Sequence, residues 1–506
     1  MKKIFTNFSK RPWYPLLLSI YPVLAMFAAN LGEARLNVVI RPMVVFFLGT
    51  ALLFIIFRIL LRDWHRAAFV SSSWLFLFAT YGHLVIFLQD QEINISSKFI
   101  LALWLVLAVV IIWLAFLKKI QFRSLAPVIN FVAALLMIFP LYQILSIKIQ
   151  NILFDRSVKN SQTSEIDPQL RANLPDIYYI ILDMFTRSDL MEMAYGYDNS
   201  EFIQFLEGKG FYVANCSQSN YMRTDVALAS TLNLDYLQNL SAKFKPDTYS
   251  RTYLFEILKH SEVRKTLEAV GYKTVAYATG FPWSEFDDAD VFLAPSPLKT
   301  TITDFEQLLL STTLARLLDD YGFIDSFQVS SQHYSERTKY VFESIPDVVN
   351  IPGPKFAFIH IINPHPPFVF GPDGEPTDPA DFHNADDKIT REFFAEGYIN
   401  QVQYVQTQME QAINTILQNS TTPPVIILQG DHGPWLQTNN KRFWILNAYY
   451  LPGGSVDLYP AISPVNSFRI VLNNYLGYKY PLLDDISYFS PIPYIYDFSL
   501  YGNPCK

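Results

Sequence analysis

The chain has 506 residues, more than one folding unit usually holds, and 51% of them are hydrophobic, with 41 Phe and 30 Tyr. Charge is divided: residues 1–150 carry 14 Lys/Arg and 4 Asp/Glu, a net of +10, while the remainder carries 25 basic and 42 acidic residues, a net of −17. An acidic remainder excludes the basic surface that nucleic acid requires, and two cysteines, Cys216 and Cys505, exclude a disulfide framework. The two either pair in an oxidising compartment or stay as free or buried thiols.

In chain order, five apolar segments come first, near 13–31, 39–61, 67–89, 98–117 and 126–147. Each is long enough to cross a bilayer as a helix, which takes roughly 20 residues. Four further spans and no small-residue cleavage pattern make the first an anchor, not a signal peptide. Lys2, Lys3, Lys10 and Arg11 precede the first span, Arg62 and Arg66 follow the second, and Lys118, Lys119 and Arg123 follow the fourth. The alternate loops are poorer in net positive charge: Arg35 and Arg41 are offset by Glu33, and Lys98 by Asp90 and Glu92. Basic loops favour the cytoplasm, so the N-terminus is expected there, and five crossings put everything after residue 150 outside. The spans lack the buried ionisable residues of a transport path, which disfavours a transporter. Residues 151–173 read as a polar linker, with 148–154 an amphipathic connector.

Residues 174–506 read as an external α/β domain. Continuous apolar runs at Asp176–Leu182, Thr274–Ala278, Phe356–Ile362 and Val425–Leu428 are typical of strands buried on both faces. Helical patterns at 200–209, 251–270, 305–319 and 391–418 alternate with them, giving a mostly parallel sheet flanked by helices. Ligands of such sheets bind beyond the C-terminal strand ends.

Several polar residues stand at those ends. The Gly430-Asp431-His432-Gly433 turn follows one run and Asp183 follows another. His360 lies near the end of a third, with His365 just beyond in Asn363-Pro364-His365-Pro366-Pro367. Asp and His side by side between glycines suit a metal ion, because both reach one centre and the backbone turns sharply. Singly, each has a structural alternative: Asp183 as a helix cap, His360 as a core histidine, His365 as a surface residue of a Pro-rich turn. A hydroxyl at Thr224 opens a helix, where unpaired backbone N–H groups favour phosphate oxygens; its alternative is a simple N-cap.

Together, these pieces resemble the sulfatase-like branch of the alkaline phosphatase superfamily across about residues 175–500. The resemblance rests on Leu182-Asp183, Thr224, the His360–His365 segment and the Gly-Asp-His-Gly turn, with Leu451-Pro452-Gly453 and Ser463–Arg469 like the tail of such domains. A five-helix anchor with an external catalytic domain is similar to lipoteichoic acid synthases and lipid A phosphoethanolamine transferases. The resemblance implies an alkaline-phosphatase-like α/β sandwich in which Asp183, Thr224, Asp431 and His432 ligate a divalent metal. It gives His365 a contact with the transferred group or leaving oxygen, makes His360 a helper, and puts Arg187 where related transferases carry a basic residue. The chain departs from the pattern in three places. Asp183 is followed by Met184 instead of a second acid, the first ligand is Asp where these transferases usually carry Glu, and Cys216-Ser217-Gln218-Ser219-Asn220 lacks the Pro and Arg of the formylglycine motif.

Two carboxylates, an imidazole and a hydroxyl form a mixed O/N donor set that suits Zn²⁺ or Mn²⁺ better than Mg²⁺ or Ca²⁺. The expected activity is transfer of a phosphoryl-containing head group from a membrane phospholipid to an envelope acceptor such as a glycan, through a phospho-threonine. A sulfatase-type or phosphodiester hydrolase is the alternative enzyme. A metal-free binding module on a membrane anchor is the non-catalytic alternative.

Overall fold

A computed structural model describes the chain except for residues 1–9, 32–35, 92, 94, 118, 159–173, 249, 282, 296–301, 325, 379–389, 435–438, 454–457, 492–493, 504 and 506. Most of the linker expected at 151–173 falls outside the described residues, as do Lys2, Lys3, Glu33, Arg35, Glu92 and Lys118 of the orientation argument. The chain divides into two compact units, Met1–Arg156 with Leu298–Val329, and Ser157–Pro297 with Ser330–Lys506.

The first unit contains α1 (Tyr14–Ala29), α2 (Leu36–Leu61), α3 (Trp64–Asp90), α4 (Ser97–Phe116) and α5 (Phe122–Val158). Among the described residues, four helices are long and apolar enough to cross a membrane: α2, α3, α4 and the Phe122–Ser146 part of α5. The five-span expectation therefore meets four such helices and one shorter apolar helix. At 16 residues, α1 rises about 24 Å, less than the ~30 Å hydrocarbon core. Its start is fixed from α5, where the Asn130 Oδ1 accepts from the backbone N–H groups of Trp13 and Tyr14 at 3.0 and 2.9 Å. Such side-chain caps matter where no water is present to pair with orphan backbone groups.

A helical hairpin from later in the chain, Asp304–Thr312 and Arg316–Asp320, belongs to this unit, whereas the sequence pattern at 305–319 suggests a helix beside the sheet. Its apolar residues have their partners among the membrane helices: Phe305 and Leu309 pack with Val23, Phe27 and Val39. Arg41 of α2 pairs with Glu306, and the Leu314 N–H donates to the Phe78 carbonyl of α3 at 2.8 Å. Gly82 makes this approach possible, since a Cβ there would sit 2.2 Å from the Ser311 carbonyl oxygen.

The second unit is built on a seven-stranded sheet. Its strands are β1 (Ile177–Leu182), β2 (Tyr212–Val213), β3 (Lys273–Tyr277), β4 (Val291–Leu293), β5 (Lys355–Ile361), β6 (Val425–Gly430) and β7 (Asn447–Tyr450). The order is β2-β7-β6-β1-β5-β3-β4. The β6–β1–β5–β3–β4 part is parallel, and β7 is antiparallel to both of its neighbours. Every residue of β1, β5 and β6 is buried, as their unbroken apolar runs require.

Alternation along β1 sends its side chains to two helical layers. Tyr178, Ile180 and Leu182 join a cluster with Tyr398, Val402, Val405 and Ile413 of the helix Arg391–Asn419, and with Val341, Ile345 and Val348 of the helix Ser326–Val349. On the other face, the Tyr179 ring meets Phe468 of the helix Pro464–Leu476 edge-on at 5.1 Å. The pattern at 251–270 resolves into two helices, because Ser261 interrupts it and caps Glu262–Ala269 with its side chain. Cys216 and Cys505 form a disulfide between positions 289 residues apart.

Candidate metal and phosphoryl-transfer site

Register brings the acidic residues together. Leu182 of β1 pairs with Gly430 of β6 on one side and Ile361 of β5 on the other. The next residues, Asp183 and Asp431, therefore leave adjacent strand ends side by side. His360 pairs with Ile181, two residues before Asp183 and on the same face of the pleat. The Asp183 N–H continues the ladder to the Ile361 carbonyl at 2.9 Å, which holds the carboxylate at the sheet edge.

The Asp431 turn is fitted to the same edge. Gly430 admits no side chain, because a Cβ there would lie 2.2 Å from the Phe185 carbonyl oxygen. Met184, at a positive φ of 67°, turns its N–H to Asp431 Oδ1 at 2.9 Å.

Ligand atoms of Asp183, Asp431 and His432 all lie within 4.8 Å of one another, and all three residues are buried. His432 Nε2 stands 3.8 Å from Asp183 Oδ1 and 3.6 Å from Asp431 Oδ2. Thr224 Oγ1 is 3.2 Å from the same nitrogen. His360 Nε2 lies 3.4 Å from the second oxygen of Asp183. The structure thus gathers Asp183, Thr224, His360, Asp431 and His432, all expected from the sequence. Thr224 is the first residue of the helix Thr224–Leu232, and the cap position belongs to Arg223.

These residues fit a divalent cation. Asp183 Oδ1 and Asp431 Oδ2 are buried with no hydrogen-bond partner among the described residues, a costly state for carboxylate oxygens that an ion would relieve. His432 Nδ1 is 2.9 Å from the Gly433 carbonyl, so Nδ1–H donates there and the Nε2 lone pair faces the cluster. Burial pushes the His432 imidazole below its ordinary value, helped by Arg442 and opposed by Asp431 and Asp183. The neutral form that ligates is favoured. Burial raises the Asp183 carboxyl, but His365, His360 and His432 outweigh it and hold it below the usual range. It stays ionised.

His365 closes the other side, with its ring centroid 6.4 Å from that of His432. Its Nδ1 faces the Pro366 carbonyl, which leaves Nε2 as the atom able to hold or move a proton. The loop carrying it contains two cis X-Pro bonds, at Pro364 and Pro367. Gln401, fully buried on the helix Arg391–Asn419, fixes that loop. Its Oε1 accepts from Asn363 Nδ2 and the Val369 N–H at 3.0 and 2.9 Å, and its Nε2 reaches the Pro364 and His365 carbonyls at 3.3 Å. Tyr334 OH donates to the Ile362 carbonyl at 2.7 Å and lies 3.0 Å from that of His365.

Arg187 has different partners. It forms a two-pronged pair with Asp189 at 2.8 and 2.6 Å and lies 4.2 Å over the Trp444 ring. No hydrogen bond or ion pair joins it to the clustered residues, among those described. The cation nearer the site is Arg442, which the motifs do not single out. It is half-buried, donates to the Met222 carbonyl at 3.0 Å, and has no hydrogen-bond partner for Nε among the described residues. Burial and Arg223 lower it to about 10, against the pull of Asp431 and Asp183, so it stays charged at neutral pH. The only sequence signal is a Lys441-Arg442 pair eight residues after the Gly-Asp-His-Gly turn, too generic to read alone.

A parallel sheet with buried carboxylates and an imidazole at its C-terminal edge, facing a hydroxyl at a helix start, gives an α/β domain with a candidate metal site. The family model for sulfatases matches residues 175–460, and the chain belongs to that family, within the alkaline phosphatase superfamily. No curated protein matches the chain. Among solved structures, the chain is similar to the C-terminal periplasmic domain of EcEptC from Escherichia coli in complex with Zn. That match has 12% identity and a TM-score of 0.41, and covers 65% of this chain and 93% of the other. A second is the integral membrane lipooligosaccharide phosphoethanolamine transferase A from Neisseria meningitidis, at 14% identity, TM-score 0.40, and 92% and 95% coverage. A third is the periplasmic domain of phosphoethanolamine transferase EptC from Campylobacter jejuni, at 12% identity, TM-score 0.33, and 56% and 80% coverage.

Proposed function

We propose that this membrane-anchored enzyme transfers a phosphoryl-containing head group from a phospholipid to an envelope acceptor such as a glycan, with Thr224 as nucleophile. The observation that carries this reading is the Thr224 hydroxyl at the start of a helix, 3.2 Å from His432 Nε2, the nitrogen that also stands 3.8 and 3.6 Å from the Asp183 and Asp431 carboxylates. Formylglycine chemistry has no support, because Cys216 is held in a disulfide and its neighbours lack the Pro and Arg of that motif.

Asp183, Asp431, His432 and Thr224 would hold a divalent metal, Zn²⁺ or Mn²⁺ by the donor set. When bound, it supplies positive charge that makes the Thr224 hydroxyl easier to ionise and screens the transferred group. Thr224 Oγ attacks phosphorus as the bond from phosphorus to the leaving oxygen breaks. The backbone N–H groups at the helix start and the Arg442 and Arg223 guanidiniums face the oxygens that gain charge. His365 Nε2 delivers a proton to the leaving oxygen. The acceptor hydroxyl, giving its proton to the His365 Nε2 freed in the first step, then displaces Thr224 from phosphorus. His360 keeps Asp183 in place, and Arg187, through Trp444, supports the wall beside the turn.

The location has separate support. The five crossings read from the sequence, with basic loops inside, favour an N-terminus in the cytoplasm and a sheet unit outside, and this needs the 16-residue α1 to cross as well. The Cys216–Cys505 disulfide fits an oxidising compartment. A membrane tether also concentrates the enzyme at a lipid donor.

The test compares purified wild type with Thr224→Ala on head-group-labelled phospholipid with added Zn²⁺ or Mn²⁺. Turnover is expected to fall about 10³-fold or more, with no labelled protein trapped in the mutant. Undiminished turnover would remove Thr224 as the nucleophile.

A further inference from the structure

The membrane unit contains a cavity of about 620 Å³, lined by α1 from Leu18 to Asn30, α3 from Ser72 to His83, and Leu308, Leu309, Thr312 and Thr313 of the inserted hairpin. Its volume lies within the usual range for small-molecule sites. The lining is apolar beyond its composition. Asn30 Nδ2, Thr80 Oγ1 and Thr312 Oγ1 each donate to a carbonyl of their own helix, at 2.8, 2.7 and 2.7 Å. Tyr21 and His83 add polar tips to the lining, and so does Ser72. It is 8% exposed, lines the cavity, and its Oγ has no hydrogen-bond partner among the described residues.

We infer that this cavity holds one acyl chain of a diacyl glycerophospholipid. Water is a poor filler, because most of the lining is aliphatic or aromatic carbon from Leu18, Pro22, Met26, Leu75, Phe76 and Leu309. Inside a bilayer, the available apolar filler is lipid. Length selects the kind of lipid. Ser72 to His83 on α3, like Leu18 to Asn30 on α1, rises roughly 16–18 Å at 1.5 Å per residue. That is about half of a ~30 Å core, the depth of a single leaflet, and it fits an acyl chain better than a longer polyprenyl chain. Along the lining stretches of α1 and α3, Asn30 and His83 are the last residues and Leu18 and Ser72 the first. The hairpin supplies Leu308, Leu309, Thr312 and Thr313 to the lining, and Gly82 lets it approach α3 closely. The inference concerns the membrane unit alone and stands whether or not Thr224 is a nucleophile.

The test uses the full chain in liposomes of phosphatidylethanolamine and phosphatidylglycerol doped with a phospholipid carrying a diazirine at one acyl terminus. After photolysis, mass spectrometry of peptides is expected to find label on Leu18–Ala29 and Ser72–His83 in excess of label on Leu105 and Val109, which are 59% and 66% exposed on α4. Filling the space with Ala25→Phe and Ala79→Phe is expected to lower the cavity label about tenfold and leave the α4 label unchanged. Wild-type labelling alone decides the matter if the filled variant does not fold. Cavity label no greater than α4 label overturns the inference. So does equal labelling by a diazirine-bearing polyprenyl phosphate.

Discussion

The membrane bundle and the sheet unit use apolar sequence in opposite ways. In the bundle, α2 and α4 are the most apolar helices and only 11% of each span is buried, whereas α3, the least apolar of the four, is 39% buried. In the sheet unit, the apolar runs of β1, β5 and β6 are buried at every position. The difference lies in the solvent. Lipid accepts Leu and Ile as readily as a protein core does, so packing between membrane helices falls to small and weakly polar residues. On α3 these are Ala67, Ala68, Ser71, Ser72 and Gly82, all buried. Water rejects the same side chains, and the sheet must cover them with helices on both faces.

Truncation in each region sharpens this contrast. Ile359→Ala in β5, where the side chain is fully buried, is expected to cost the sheet unit about 2–5 kcal/mol. Val109→Ala on α4 is expected to change stability by less than about 0.5 kcal/mol. Thermal melts of the full chain in detergent measure both, and comparable losses would break the comparison.

A middle-sized effect is expected at Gln401. Gln401→Ala leaves the Val369 N–H and Asn363 Nδ2 buried without their acceptor and costs roughly 1–3 kcal/mol. Because the same side chain holds the His365 loop, kcat is expected to fall about tenfold or more with KM nearly unchanged. A kcat equal to wild type would show that the loop is fixed without it.

The smallest effect tests surface charge. Burial raises the Asp288 carboxyl, but its hydrogen bond and charge pairing with Arg264, with help from Lys259 and His260, hold it below the ordinary carboxylate range. A carboxyl lowered on folding stabilises above its unfolded value and loses that contribution as pH falls through its folded value. Asp288→Asn is therefore expected to lower Tm slightly at pH 7, and the gap from wild type should close as pH falls below about 4. With the side chain 40% exposed, solvent keeps the effect under ~1 kcal/mol.

The sheet and the centre of the site were readable because each rests on a local signal. β1, β3, β5 and β6 are unbroken apolar runs, and Asp183, His360, Asp431 and His432 stand at or near their ends. The parallel register that joins them follows from α/β alternation. The edge strands β2 and β4, and β7 next to β2, have two to four residues, too few for periodicity to show. The hairpin at 304–320 was misplaced because Phe305 and Leu309 suit a membrane helix as well as a sheet. Its seat depends on Gly82 and Arg41, more than 200 positions away. Gln401 and Arg442 left no usable trace, since their roles exist only once distant segments meet.

The disulfide has a consequence for how the chain breaks. Cys216 and Cys505 close a covalent ring that contains Thr224, His360, His365, Asp431 and His432, together with the membrane-seated hairpin; only Asp183, of the clustered residues, lies outside it. A protease cutting once between them opens the ring but frees no fragment. Both halves stay linked until a reductant acts, so a nicked enzyme can keep its parts in place at the membrane.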